Sequence, residues 1–405
     1  MNENENLVPK RRFKEFTNTG TWEQRKFFDN IQNTIDFRGR TPKKLGMDWS
    51  ESGYLALSAL NVKNGYIDPS ADAHYGDGEL YKKWMGGREL RKGQVLFTTE
   101  APMGNVAQVP DNQGYILSQR TITFDVNDEK ITDDFLAVLL RSPNVFNDLS
   151  ALASGGTAKG VSQKSLSGLK VIVPRNLCEQ EKIGLFFKQL DSAIALHQRK
   201  LEKSKALKSA YLSEMFPAEG ERKPKRRFAG FTDDWEQRKL IDVAEMFDNL
   251  RIPVTASDRV EGNTAYYGAN GIQDYVDGFT HDGEFVLIAE DGANDLINYP
   301  VNYVKGKIWV NNHAHVVSGK KSELDNLFLT ARIKSMNISH WLVGGGRAKL
   351  NGDVLKKIPL TLPIYEEQKK IGAFFKQLDD AIALHQHKLE KLKNIKQAYL
   401  NELFV

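Results

Sequence analysis

Residues 183–216 read IGLFFKQLDSAIALHQRKLEKSKALKSAYLSEMF, and residues 371–404 read IGAFFKQLDDAIALHQHKLEKLKNIKQAYLNELF. At this constant offset 25 of the 34 positions are identical, so the chain contains one long element written twice. Apolar residues recur at steps of three and four in both copies. The first carries Ile183, Phe187, Leu190, Ile194 and Leu201; the second carries Ile371, Phe375, Leu378, Ile382 and Leu389. Lys and Glu fill the remaining faces, the pattern of long helices that meet along a seam. His197 and His385 fall in the same register of each copy. A metal or proton site between helices is one reading of them. The simpler one is a polar seam residue that fixes pairing register, since no further ligand type accompanies either.

Two shorter blocks flank each helix. RRFKEFTNTGTWEQRK at 11–26 is echoed by RRFAGFTDDWEQRK at 226–239, and GGTAKGVSQKSLSGLKVIVP at 155–174 by GGRAKLNGDVLKKIPLTLP at 345–363. Between these blocks the halves diverge, although GQVLFTTE at 93–100 parallels GEFVLIAE at 283–290. The order is therefore divergent domain, helix, divergent domain, matching helix. It predicts a first domain over 1–178, a first spacer helix over 179–216, a second domain over 217–365 and a second spacer helix over 366–405. Connectivity predicts that the helices run antiparallel, with an approximate twofold relation between the halves. A helix of about 38 residues spans roughly 57 Å and acts as a rigid spacer. Glu179-Gln180 and Glu367-Gln368 sit near the helix starts, where acidic and capping side chains suit the dipole.

Within the divergent domains, short alternating runs such as 54–57, 93–99 and 121–124 predict strands, followed by a helical stretch over 133–152. The second half repeats this with strands near 285–289, 307–310 and 315–317 and a helical stretch near 324–341. The fold class expected is α+β: two domains with partly antiparallel sheets, separated by two long helices forming an antiparallel coiled coil.

Composition narrows the function only by exclusion. No apolar run reaches membrane-spanning length, and the polar start MNENENLVPKRRF lacks a secretory signal, so a cytoplasmic protein is expected. Cys178 is the single cysteine, which excludes an intrachain disulfide and a cysteine-based zinc site. Residues 27–178 carry 17 basic and 17 acidic side chains, and residues 240–363 carry 12 and 15. The net charge of +4 thus lies outside the divergent domains, and bulk charge does not argue for nucleic acid.

Local patterns nominate contact residues. Arg38, Arg40, Lys43 and Lys44 form a basic, turn-rich loop suited to a phosphate backbone. Gln119 and Arg120 are further candidate DNA contacts of the first domain. The glycine-rich 155–160 and 344–349 place Lys159, Arg347 and Lys349 on backbones that fit a phosphate, without the spacing of a nucleotide-binding P-loop. Asn270, Asn311, Asn312, His313 and His315 offer base-edge hydrogen bonds. His313 and His315 also form a conceivable metal pair, but no HExxH spacing or facing carboxylate is discernible, so no metal is expected. Glu100, Glu290 and Asp291 read as solvated or structural acids.

The order and duplication of these blocks resemble the specificity subunit of bacterial type I restriction–modification systems, across nearly the whole chain. GQVLFTTEAPMGNVA at 93–107, EFVLIAEDGA at 284–293 and WVNNHAHVV at 309–317 resemble that family's target recognition domains. The resemblance implies a non-catalytic chain whose two domains each read one half of a split, asymmetric double-stranded DNA target. It implies helices that set the spacing and dock methyltransferase subunits, with a motor-nuclease subunit joining for cleavage. S-adenosylmethionine, ATP and magnesium would belong to those partners, and no cofactor to this chain. The alternatives are a coiled-coil scaffold that does not read DNA and a metal-dependent nuclease built on Glu290, Asp291 or the histidine pair.

Overall fold

Two helices of 38 residues, Leu177–Glu214 and Tyr365–Glu402, occupy the duplicated segments. In the computed structural model, residues 7–154, 159–344 and 348–405 are described. Contacts divide the chain into Met1–His197 with Lys388–Val405, and Gln198–His387. The sequence places domain limits at 178, 216 and 365; the contact units instead cut each long helix near its middle. The reason is that each helix start is core. Ile183 and Phe187 are buried with Trp22, Phe135 and the chain's last residues Leu400, Leu403 and Phe404. Ile371 and Phe375 are buried with Trp235, Phe328, Met215 and Phe216.

Within each unit the start of one long helix runs antiparallel to the end of the other. In the first unit Phe187 meets Phe404, Phe186 meets Tyr399 at 4.8 Å between ring centroids, and Asp191 meets Lys396 at 2.6 Å. In the second, Phe375 meets Phe216, Phe374 meets Tyr211 at 5.0 Å, and Asp379 pairs with Lys208. Each of these carboxylates also meets a cation from its domain helix, Arg141 at 2.7 Å and Lys334 at 3.8 Å. The expected seam residues thus divide by position. Those near the helix starts enter domain cores, Leu201 and Leu389 are buried in mid-helix, and Leu190, Ile194, His197, Leu378, Ile382 and His385 are half-buried.

The Glu-Gln pair at each helix start does more than suit the dipole. Glu179 accepts both Nε and Nη2 of Arg12, at 2.6 and 2.7 Å, and Glu367 accepts both from Arg227 at 2.7 Å. Gln180 donates to the carbonyls of Lys130 and Pro174 and accepts from the Thr132 amide. Gln368 repeats this with Glu323, Pro363 and Asp325. The adjacent arginines take the opposite helix end: the Arg11 amide donates to Glu402 O and the Arg226 amide to Glu214 O. Each Arg-Arg-Phe segment therefore straddles the end of one helix and the start of the other.

The divergent domains share a sheet plan. The first has a four-stranded antiparallel sheet in the order Ile31–Asp36, Thr121–Val126, Val95–Thr98, Val106–Gln108. A smaller sheet, Tyr75–Gly76, Tyr54–Leu57 and Ile116–Leu117, contains one parallel pairing, Ala56 with Ile116. The second domain fuses the equivalents into six strands, ordered Ala244–Met246, Ala314–Gly319, His281–Ala289, Val301–Val310, Glu261–Gly268, Gly271–Val276. There the parallel pairing is Tyr266 with Trp309. The helical stretch expected over 133–152 is two helices, Asp133–Leu139 and Pro143–Leu152, because Pro143 cannot continue the first helix and begins the second. Its counterpart is the helix Asn326–Ser335 and a separate 3-10 turn, Ile338–Trp341. Among the described residues no helix is long and apolar enough to cross a membrane.

Candidate nucleic-acid interface

In both domains the end of a central strand, the turn before its neighbour and a bridged pair of residues, Ser154 with Gly160 or Val343 with Lys349, meet at one rim. In the first domain the Thr99 amide donates to Arg120 O, the Val161 amide to Thr99 O, and Glu100 bridges Gly160. In the second, the Glu290 amide donates to His313 O, the Leu350 amide to Glu290 O, and Asp291 bridges Lys349. Backbone equivalence thus pairs Thr99 with Glu290, Glu100 with Asp291 and Arg120 with His313. The sequence parallel between 93–100 and 283–290 is therefore one residue out of register.

This register shows that the two rims build the same salt link from different residues. Arg120 pairs with Glu100 at 2.9 Å, and His313 pairs with Asp291. Arg120 adopts φ 65°, a left-handed conformation uncommon for a residue with a side chain. Its side chain remains 54 % exposed, and that of His313 38 %. In the first domain Lys43, Lys44 and Lys159 are exposed, Lys44 donating to Gly39 O; in the second Asn312 is exposed and Lys349 half-buried. Arg347 and the glycines beside it lie outside the described residues, as do 155–158.

Other expected contacts are engaged by partners within the chain. Arg38 is held by Asp36, with Nε at 2.7 Å from its carboxylate. Arg40 is half-buried, donating to Trp84 O, and Gln119 donates to Arg40 O at 2.7 Å. Asn270 uses both ends of its amide on a neighbouring loop, donating to Gly292 O and accepting from the Asn294 amide. Asn311 and His315 are buried. Asn311 accepts from the His313 amide at 2.8 Å, and His315 lies between Asp248 Oδ2 at 2.6 Å and Leu350 O at 2.8 Å. Of the polar residues expected at 311–315, Asn312 stays exposed and His313 half-buried.

The histidines do have facing carboxylates, contrary to the sequence reading: Asp291 faces His313 and Asp248 faces His315. They do not face each other as a pair. Among the described residues Asp248, Glu290 and His315 bring donor atoms within 4.8 Å of one another, a spacing that a metal ion could use. Their charge already has partners. Glu290 binds Arg251 at 2.6 Å and Lys349 at 2.8 Å, and Asp248 lies 3.6 Å from Arg251. Burial raises the Asp248 carboxyl, but His315, the Val316 amide and Arg251 outweigh it and hold it below its ordinary value. Glu290 is likewise raised by burial and brought down on balance by Lys349 and Arg251. Glu290 in turn raises Lys349. Sequence distance hid this network: Asp248 and His315 are 67 residues apart, and Arg251 and Glu290 are 39.

Known proteins match this arrangement twice over. Residues 34–205 and residues 232–394 each match the family described as type I restriction modification DNA specificity domain. A putative type I restriction enzyme specificity subunit of Haemophilus influenzae is 50% identical over 136 residues, 34% of this chain and 35% of that relative. The match to that relative therefore spans about a third of its length. The putative MjaX specificity subunit of Methanocaldococcus jannaschii is 22% identical over 410 residues, 94% of this chain and 92% of that one. The crystal structure of the type I restriction–modification S subunit from M. genitalium superposes with a TM-score of 0.72 at 16% identity. It covers 98% of this chain and 99% of that one, a likeness of fold. The chain belongs to the family of type I restriction modification DNA specificity domains and carries two of them.

Proposed function

We propose that each domain reads one half of a bipartite, asymmetric DNA target, while the paired helices set the half-site spacing and dock methyltransferase subunits. The single observation that supports this best is the rim. One backbone frame, repeated in both units, presents Gln119 and Arg120 in the first and Asn312 and His313 in the second. A common frame with exchanged hydrogen-bonding side chains suits two readers of different base edges. The exposed lysines beside them suit phosphate contacts that position the reader. Catalysis, S-adenosylmethionine, ATP and magnesium belong in this reading to partner methyltransferase and motor-nuclease subunits.

Methylation mapping in a host that expresses this chain with its partner methyltransferase tests the reading. A motif in two parts separated by unspecified bases is expected. A contiguous motif, or no methylation beside an active partner, overturns it and favours a scaffold that does not read DNA.

A further inference from the structure

The first unit has an open cavity of about 420 Å³ at the rim, lined by Arg40, Trp49, Ser58, His74, Gln119 and Arg120 among others. That volume lies in the range of about 300–1,000 Å³ usual for sites that hold small organic ligands. Ala56 also lines it. The second unit shows what this alanine leaves open. Ala56 pairs in parallel with Ile116, and the Ser118 amide donates to Leu57 O; Tyr266 pairs with Trp309, and the Asn311 amide donates to Tyr267 O. Ala56 and Tyr266 are therefore equivalent. The Tyr266 ring is buried, and its hydroxyl engages both the amide and the carbonyl of Val254.

We propose that the cavity of the first domain holds a single unpaired nucleobase, with the attached phosphate at the rim. This rests on the reading that the first domain grips DNA. The lining has the parts such a ligand needs. Half-buried Trp49 and exposed His74 present rings 5.5 Å apart, and Trp49 is braced from behind by Trp84 at 5.7 Å. Trp84 is itself fixed, its Nε1 donating to Leu117 O at 2.9 Å. A base stacks on such rings whatever its identity, because every base has a π-face. Hydrogen bonds to the base edge supply the choice. Gln119 donates its amide to Arg40 O, so its Oε1 is the acceptor end, and Ser118 borders the same space with Ser58, whose hydroxyl donates to Asp72. Exposed Lys43 and Arg120 stand at the margin, where a phosphate would lie. The base comes either from the gripped duplex, turned out of its stack, or from a free mononucleotide.

The full chain is titrated with each of the four deoxynucleoside monophosphates, followed by tryptophan fluorescence. It is also bound to duplexes of the mapped target in which 2-aminopurine replaces successive bases of the first half-site, followed by 2-aminopurine emission and gel retention. Emission is expected to rise at one position. That signal should weaken in both Trp49→Ala and His74→Ala, with affinity roughly 5- to 150-fold lower, and persist in Trp49→Phe. His74 is exposed, so its removal reads binding and not folding. Saturation by a monophosphate, lost in the same variants and without any rise in emission, assigns the cavity to a free nucleotide. Retention of the duplex with neither signal overturns the pocket and leaves DNA reading intact. A wild-type chain that retains no duplex overturns DNA reading itself, and the pocket with it unless a monophosphate saturates.

Discussion

Glu367 shows how much one side chain can hold. It is fully buried, and its two oxygens receive the fork of Arg227. Removing one member of a buried pair leaves the other charge without compensation, at a cost of about 3–5 kcal/mol. Glu367→Ala should therefore lower the unfolding free energy by that order in urea titrations, as should Glu179→Ala through Arg12. Arg38→Ala, on a side chain 41% exposed, should stay within about 0.5 kcal/mol. The sequence marks both glutamates as helix starts but conceals their partners, since Arg12 and Glu179 are 167 residues apart. In the second domain Asp248 and Glu290 are held below their ordinary carboxyl values. A depressed value stabilises the fold above the unfolded pKa, and the gain is lost as pH falls through the folded value. The urea midpoint of the second unit should thus drop below about pH 4 and do so less in Asp248→Asn. Because Arg251 and Lys349 already neutralise these acids, chelation by EDTA at pH 7 should leave the melting temperature unchanged; a fall would identify a structural metal.

At the scale of elements, three-and-four periodicity made both long helices legible to within a few residues. The strands with short buried apolar runs, such as Val95–Thr98 and Ala314–Gly319, were legible as well. The hairpin Glu261–Gly268 and Gly271–Val276 was not. Its burial pattern is mostly exposed or half-buried, so few apolar residues record its period, and Asn270 in its turn looked like a contact residue. The rim was legible as a list of polar residues and not as a geometry, because strand equivalence there differs by one residue from the best sequence match. Helix starts buried in domain cores confine any change of spacer length to mid-helix. Deleting 194–200 and 382–388 together removes about 10 Å of rise from each helix, close to three base pairs. Methylation mapping of the shortened chain should show a motif with fewer unspecified bases and the same two halves. An unchanged gap would end the spacer role.

For the whole molecule, divergence confined to two cassettes predicts modular behaviour. Replacing 27–154 with the corresponding segment of another family member should change one half of the methylated motif only, whereas alteration of both halves would contradict separate readers. Replacing Asn312 and His313 together by alanine should relax the opposite half while the first half persists. Composition gave no help with either expectation, since the cassettes carry no surplus of positive charge.

The two units also differ in when they can close. The second is drawn from one continuous stretch, Gln198–His387, and can bury its core as soon as that stretch leaves the ribosome. The first cannot. Trp22, Phe135 and Phe187 wait for Leu400, Leu403 and Phe404, so the first unit closes only after the second has been made. Until then its apolar face stays open to chaperones and proteases. Pulse proteolysis of chains cut at residue 398 should digest residues 27–154 while sparing 232–362.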